Sequence, residues 1–160
     1  MRAQGRLAVE IEVEVPFHDV DLAGVVWHGH YLKYLENARW RLMDSIGCGL
    51  QWMLSSGFSW PIVDMQIKYL RISKYAEPLR IKASLVEWDS RLTVNYLITD
   101  RLSGERVARA QSRQVAVETA TGILQFAQPL AFTDCVRAAL ARAGAGAAGA
   151  MAGDRSTGAA

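Results

Sequence analysis

The chain has 160 residues, 51% of them apolar and 21% charged, a composition that builds one domain with a sizeable core and excludes a disordered or collagen-like chain. Eighteen Lys and Arg against sixteen Asp and Glu leave a formal charge of +2, too small for a protein whose main partner is a nucleic-acid backbone. No apolar run approaches the roughly 20 residues of a membrane span, and no apolar secretory segment opens the chain, so Cys48 and Cys135 read as free thiols of a cytoplasmic protein.

In chain order, Val9, Ile11, Val13 and Val15 alternate with Glu10, Glu12 and Glu14, which predicts a strand closed by Pro16. From His30 to Ile46 the period changes. Tyr31, Leu35, Ala38, Leu42 and Ile46 recur at three- and four-residue spacing, predicting a helix of about four to five turns with a left-handed end at Gly47. A short helix is expected over Leu50–Leu54, then strands over 63–69, 79–88, 92–99 and 106–118, the last long enough to hold a bulge. Residues 123–127 read as a short closing strand or an extended tail. One strand, one long helix and four closely spaced strands predict an α+β domain, an antiparallel sheet with the helix on one face. A lone helix covers only part of such a sheet, so a homo-oligomer is expected. The domain is expected over 1–135, with 136–160 an Ala- and Gly-rich tail too poor in large apolar residues to order itself, although Asp134 to Arg142 suits a short helix.

The residues that could carry chemistry crowd into 17–30. All three histidines (His18, His28, His30) lie there, with Asp19, Asp21, Gly24 and Gly29. Turn formation accounts for some of them, since Asp and Gly suit turns and Asp caps helices. A loop that only has to turn, however, has no need of Val25, Val26 and Trp27 at its centre; their burial would set Asp21 and His28 at the mouth of an apolar crevice. His28 and His30 with Asp19 or Asp21 lack the spacing of a zinc site, so no metal is expected. There is no G-x-S-x-G nucleophile motif and no phosphate-cradling glycine loop.

From Asp19 to Arg39 the chain reads D-x-D-x-x-G-V-V-W-H-x-x-Y-x-x-Y-x-E-x-A-R, which resembles the signature of the hotdog-fold thioesterases of the 4-hydroxybenzoyl-CoA thioesterase family, in its subgroup of small bacterial acyl-CoA thioesterases. The later strands fit that family's layout, so the resemblance covers roughly residues 8–132. It implies a curved antiparallel sheet wrapped around one long helix. It also implies paired protomers with two active sites per homodimer, alone or within a homotetramer, and no cofactor. Asp21 takes the position of the catalytic carboxylate, as nucleophile or as general base toward water. His28 falls where the family uses a backbone N–H to polarise the thioester carbonyl. Gly24, Val25, Trp27 and Tyr31 are the neighbouring candidates for substrate binding. Arg109 and Arg113, on one strand face by parity, are candidates for the phosphates of coenzyme A, although charged residues on an exposed strand are ordinary.

The activity implied is hydrolysis of an acyl-CoA thioester to a carboxylic acid and free CoA. The sequence departs from the family pattern at Val20, where a small polar residue is common, and at His30, which leaves the acyl group open. Also open are an acyl carrier protein as the donor, a non-hydrolysing acyl-binding protein on the same fold, and a hydratase or dehydratase using Asp21 with His28. For the His28 side chain, catalysis and a structural role stand about equal. Asp19, His18 and His30 read as organisers of the loop.

Overall fold

A computed structural model describes residues 7–153, with side chains described through residue 145. The elements follow in the order β1 (Leu7–Glu14), α1 (Tyr31–Ser45), α2 (Leu50–Ser55), β2 (Phe58–Ser59), β3 (Ile62–Tyr69), β4 (Pro78–Glu87), β5 (Leu92–Asp100), β6 (Arg106–Gln114), β7 (Val117–Glu118) and α3 (Leu130–Gly153). Five strands form one antiparallel sheet in the order β1-β4-β5-β6-β3, and β2 pairs with β7 in a separate two-stranded ribbon. With one long helix packed on β1 and β4, this is the α+β architecture that the alternation and the helical stripe predict.

The glutamates of β1 stay in solvent, where Glu10 and Glu12 reach Arg80, while Val9, Ile11 and Val13 turn toward the core. In α1 the inward face is Tyr31, Leu35, Ala38 and Leu42, continued by Ile46, all buried. Each leucine removed from water contributes about 1.5–3 kcal/mol, so this stripe against the sheet is the main fastening of the helix. The helix ends as expected: Gly47 has φ 85°, a conformation that a side chain would resist.

Two expectations change, and one that stood between two alternatives is decided. The stretch 106–118 is not one strand: β6 stops at Gln114, whose buried amide donates to the Trp60 carbonyl, and β7 pairs with β2 instead. The expected bulge lies at Val107, where Ala108 and Arg106 face consecutive residues of β5 and the intervening valine is buried. Beyond β7, Leu124 makes a single bridge to Val117, so 123–127 is extended chain rather than a strand.

The second change is at the C-terminus. The expected division at 135/136 falls inside α3, and the chain is helical through Gly153. Alanine has the best helix propensity, and Phe132, Val136 and Ala139, at helical spacing, are buried. Phe132 stacks against Trp60 and Trp52, with ring centroids 5.5 Å and 6.3 Å away. Residues 154–160 of the expected tail lie outside the described residues. Cys48 and Cys135 are free, and burial together with the neighbouring Cys135 pushes the Cys48 thiol up from its ordinary value. Among the described residues no helix is long and apolar enough to cross a membrane.

Candidate active site

Residues 17–30 connect β1 to α1 and fold into a small, fully specified structure. Phe17–Asp19 form a single 3-10 turn, Val20 bridges Val26, and the chain between them reverses at Gly24, whose φ of 75° suits a residue without a side chain. Val26 donates its N–H to the Ser73 carbonyl, and Val25 bridges Lys74, which docks the hairpin on the β3–β4 connection. A second 3-10 turn, His28–His30, runs directly into α1.

Asp21 stands at the tip of this hairpin, exposed. Its Oδ1 accepts the N–H groups of Ala23 at 2.8 Å and Val25 at 3.4 Å, while its own N–H donates to the Val25 carbonyl at 2.9 Å. Among the described residues its Oδ2 has no partner. One carboxylate oxygen is thus fixed by the backbone and the other is open to a water or a carbonyl carbon, the arrangement that a general base or nucleophile requires.

The His28 N–H likewise has no acceptor among the described residues, nor has the Gly29 N–H after it, whereas on either side of this pair Trp27 donates to the Asp19 carbonyl and His30 to the Trp27 carbonyl. The peptide that carries the His28 N–H is held through its own carbonyl, that of Trp27, which accepts the His30 N–H at 2.9 Å, and the next peptide is held by the Tyr69 hydroxyl of β3, which donates to the His28 carbonyl at 2.8 Å. An unpaired N–H just ahead of a 15-residue helix, where the helix dipole is positive, suits an oxygen that gains negative charge. The His28 ring lies 4.8 Å from the Trp27 ring, and the structure gives its side chain no polar partner among the described residues.

Beneath the hairpin, Asp19 is only 1% exposed. Its Oδ2 accepts the Tyr34 hydroxyl at 2.6 Å; its Oδ1 accepts Lys33 Nζ, with His30 Nδ1 and His18 Nε2 each 3.8 Å away. Burial by itself would raise the pKa of this carboxyl, but the hydrogen bonds from Lys33 and Tyr34 and the charges of Lys33 and His30 hold it below the usual carboxylate value. Its own burial, and then the bond to the Asp19 carboxylate, push the Tyr34 hydroxyl up.

Of the three apolar residues expected to be buried, Val26 is, Val25 is half-buried and Trp27 remains 48% exposed in a single chain. The indole lies across Gly29: a Cβ there would stand 2.0 Å from Trp27 Cζ3. Tyr31 is buried, its ring 5.3 Å from that of Tyr69. Arg109 and Arg113 lie elsewhere. Arg109 is the register partner of Lys68, and the strand pleat puts it on the sheet face opposite Tyr69 and Ala108, in a shallow depression with Gln66 and Gln111. Arg113 pairs with Asp64 at 2.9 Å.

Four residues of the site escape the sequence reading. Lys33 looks like part of the solvent face of α1, Tyr69 like one more position in an alternating strand, and Gly29 like loop filler. Tyr34 carried a signal, as the second tyrosine of the Y-x-x-Y in the motif.

Residues 15–140 match the family model of the thioesterase-like superfamily. A candidate esterase of Synechocystis sp. is 33% identical over 114 residues, 71% of this chain and 69% of that protein. The 1,4-dihydroxy-2-naphthoyl-CoA hydrolase of Thermosynechococcus vestitus is 30% identical over 106 residues, 65% of this chain and 72% of that one. The solved structure of a 4-hydroxybenzoyl-CoA thioesterase variant bound to 4-hydroxybenzoyl-CoA superposes with a TM-score of 0.67 at 21% identity, covering 81% of this chain and 98% of that one, a likeness of fold.

Proposed function

The chain belongs to the thioesterase-like superfamily, and from that premise we propose that it hydrolyses acyl-CoA thioesters with Asp21 as the reacting carboxylate and the His28 N–H as the oxyanion donor. The observation that carries this reading is the pairing, on one loop, of a carboxylate oxygen and a backbone N–H that both lack protein partners among the described residues. In the general-base form, Asp21 Oδ2 takes a proton from water as the water oxygen bonds to the thioester carbon. The carbonyl oxygen becomes an oxyanion facing the His28 N–H, and one such preorganised donor is worth about 3 kcal/mol. The carbonyl re-forms as the C–S bond breaks. A thiolate leaves without help from a strong acid, so no second acidic group is required, and it takes up the proton in solution. In the nucleophilic form Asp21 Oδ2 itself bonds to the carbon, the C–S bond breaks to release the thiolate, and water then cleaves the resulting anhydride to the carboxylic acid and the free Asp21 carboxylate.

Gly24 and Val25 shape the turn beside this centre, and Trp27 and Tyr31 form its apolar wall. Trp27 is half-exposed, and the outer edge of β3, with Val63 57% exposed and Tyr69 and Ile72 exposed beyond it, has no strand partner among the described residues. A second copy of the chain set edge to edge along β3 would cover both, so the working unit in this reading is a homodimer.

The test is free-thiol release from short, long and aromatic acyl-CoAs and from the same acyl groups on acyl carrier protein. Release from the CoA esters supports the reading. Release from the carrier-bound esters alone assigns the carrier as the donor. Binding with no release from either would make this an acyl-binding protein.

A further inference from the structure

We propose that Asp19 is the positioning residue of this centre, the single side chain that sets both the Asp21 turn and the His28 N–H relative to α1; the inference rests on the catalytic reading of those two groups. The carboxylate is buried, and a buried charge persists only where partners hold it. All of its partners lie at the ends of the structure that must be aligned. Lys33 and Tyr34 belong to the first turn of α1, His30 leads into it, and His18 precedes Asp19 in the same loop. The Asp19 main chain faces the other way: its carbonyl accepts the Trp27 N–H at 3.0 Å, directly before His28, and its chain continues through Val20 into Asp21. The hairpin from 20 to 26 therefore begins and ends on Asp19, and the Asp19 side chain is anchored on the helix. A shift of the carboxylate would move the Asp21 oxygen and the His28 N–H together, and misplacement by about 1 Å of groups that must converge on one carbonyl can cost about a hundredfold in rate.

A merely structural role for Asp19 would lower stability and leave the surviving folded protein normally active. Positioning predicts more. In Asp19→Asn, kcat should fall about 10- to 100-fold with KM within about threefold, and amide exchange at residues 21–29 should rise at least about tenfold while β4 and β5 stay protected. Tyr34→Phe, which removes one hydroxyl, should move both readouts in the same direction by a smaller factor. In an Asp21→Asn background, the further loss on Asp19→Asn should be smaller than the loss in wild type, because the Asp21 oxygen is already gone and only the His28 N–H is left to misplace. Unchanged exchange across 21–29, or rate losses that simply multiply in the double variant, would overturn the proposal. Wild-type protein without any thiol release would instead overturn the hydrolytic reading, and the exchange measurement alone would then decide whether Asp19 sets the loop.

Discussion

Gly29→Ala tests how the Trp27–His28–Gly29 turn is held. Gly29 does not need a left-handed backbone, and the nearest obstacle to alanine there is the Trp27 indole, with three ring atoms 2.0–2.7 Å from the position of the new Cβ. The ring must swing away, and it leaves its contacts with the His28 and His30 rings, at 4.8 Å and 5.1 Å. Two aromatic contacts at about 0.5–1.5 kcal/mol each amount to roughly 1–3 kcal/mol. Against this, alanine in place of glycine at a compatible backbone stabilises by about 0.4–1 kcal/mol through the unfolded chain. The expected net loss is about 0.5–2 kcal/mol in urea unfolding. The sign should reverse once the obstacle is gone: in a Trp27→Ala background, Gly29→Ala should be neutral or stabilising by up to about 1 kcal/mol. Equal destabilisation in both backgrounds would show that the indole is not what excludes a side chain at Gly29.

Tyr69→Phe removes the hydrogen bond to the His28 carbonyl, worth about 0.5–1.5 kcal/mol. If that contact holds the oxyanion donor in place, thiol-release kinetics should show kcat falling about 2- to 12-fold with KM nearly unchanged. The depressed pKa of Asp19 makes a signed prediction for stability. Its ionised form stabilises the fold above the unfolded value of about 3.9, and that contribution is lost as pH falls through the lower folded value. Urea midpoints measured from pH 7 to pH 3 should therefore drop more steeply for wild type than for Asp19→Asn, and parallel curves would refute the assignment. Val63→Lys puts a charge on the open edge of β3 and should shift the mass measured by light scattering toward the monomer, with activity falling in step; an unchanged mass would place the dimer contact elsewhere.

Elements whose side chains repeat were open to reading from the sequence. The β1 alternation, the Tyr31–Leu35–Ala38–Leu42 stripe and the Gly47 terminus each follow from local periodicity or backbone chemistry, and each stands where it was expected. What local pattern does not carry is long-range pairing. Nothing at Val117 signals that it leaves the main sheet to join Ser59, and nothing in an alanine-rich segment signals that Phe132 will find Trp52 and Trp60 to pack against. The site divides in the same way. The motif from Asp19 to Arg39 singles out Asp21 and His28, because their placement is local to one loop. Tyr69, 41 residues from the carbonyl it holds, and Lys33, which turns under the loop to reach Asp19, enter only through the tertiary fold.

In the proposed reaction the open oxygen of Asp21 does the chemistry. Asp21→Asn keeps the Oδ1 that caps the Ala23 and Val25 N–H groups and replaces only the other oxygen with an amide, so the turn should survive while the base or nucleophile is lost. Thiol release from the best acyl-CoA, measured side by side with wild type at matched urea stability, should fall by at least about a hundredfold, in the range that general acid–base catalysis contributes. Release within a few-fold of wild type from a folded Asp21→Asn variant would contradict the account.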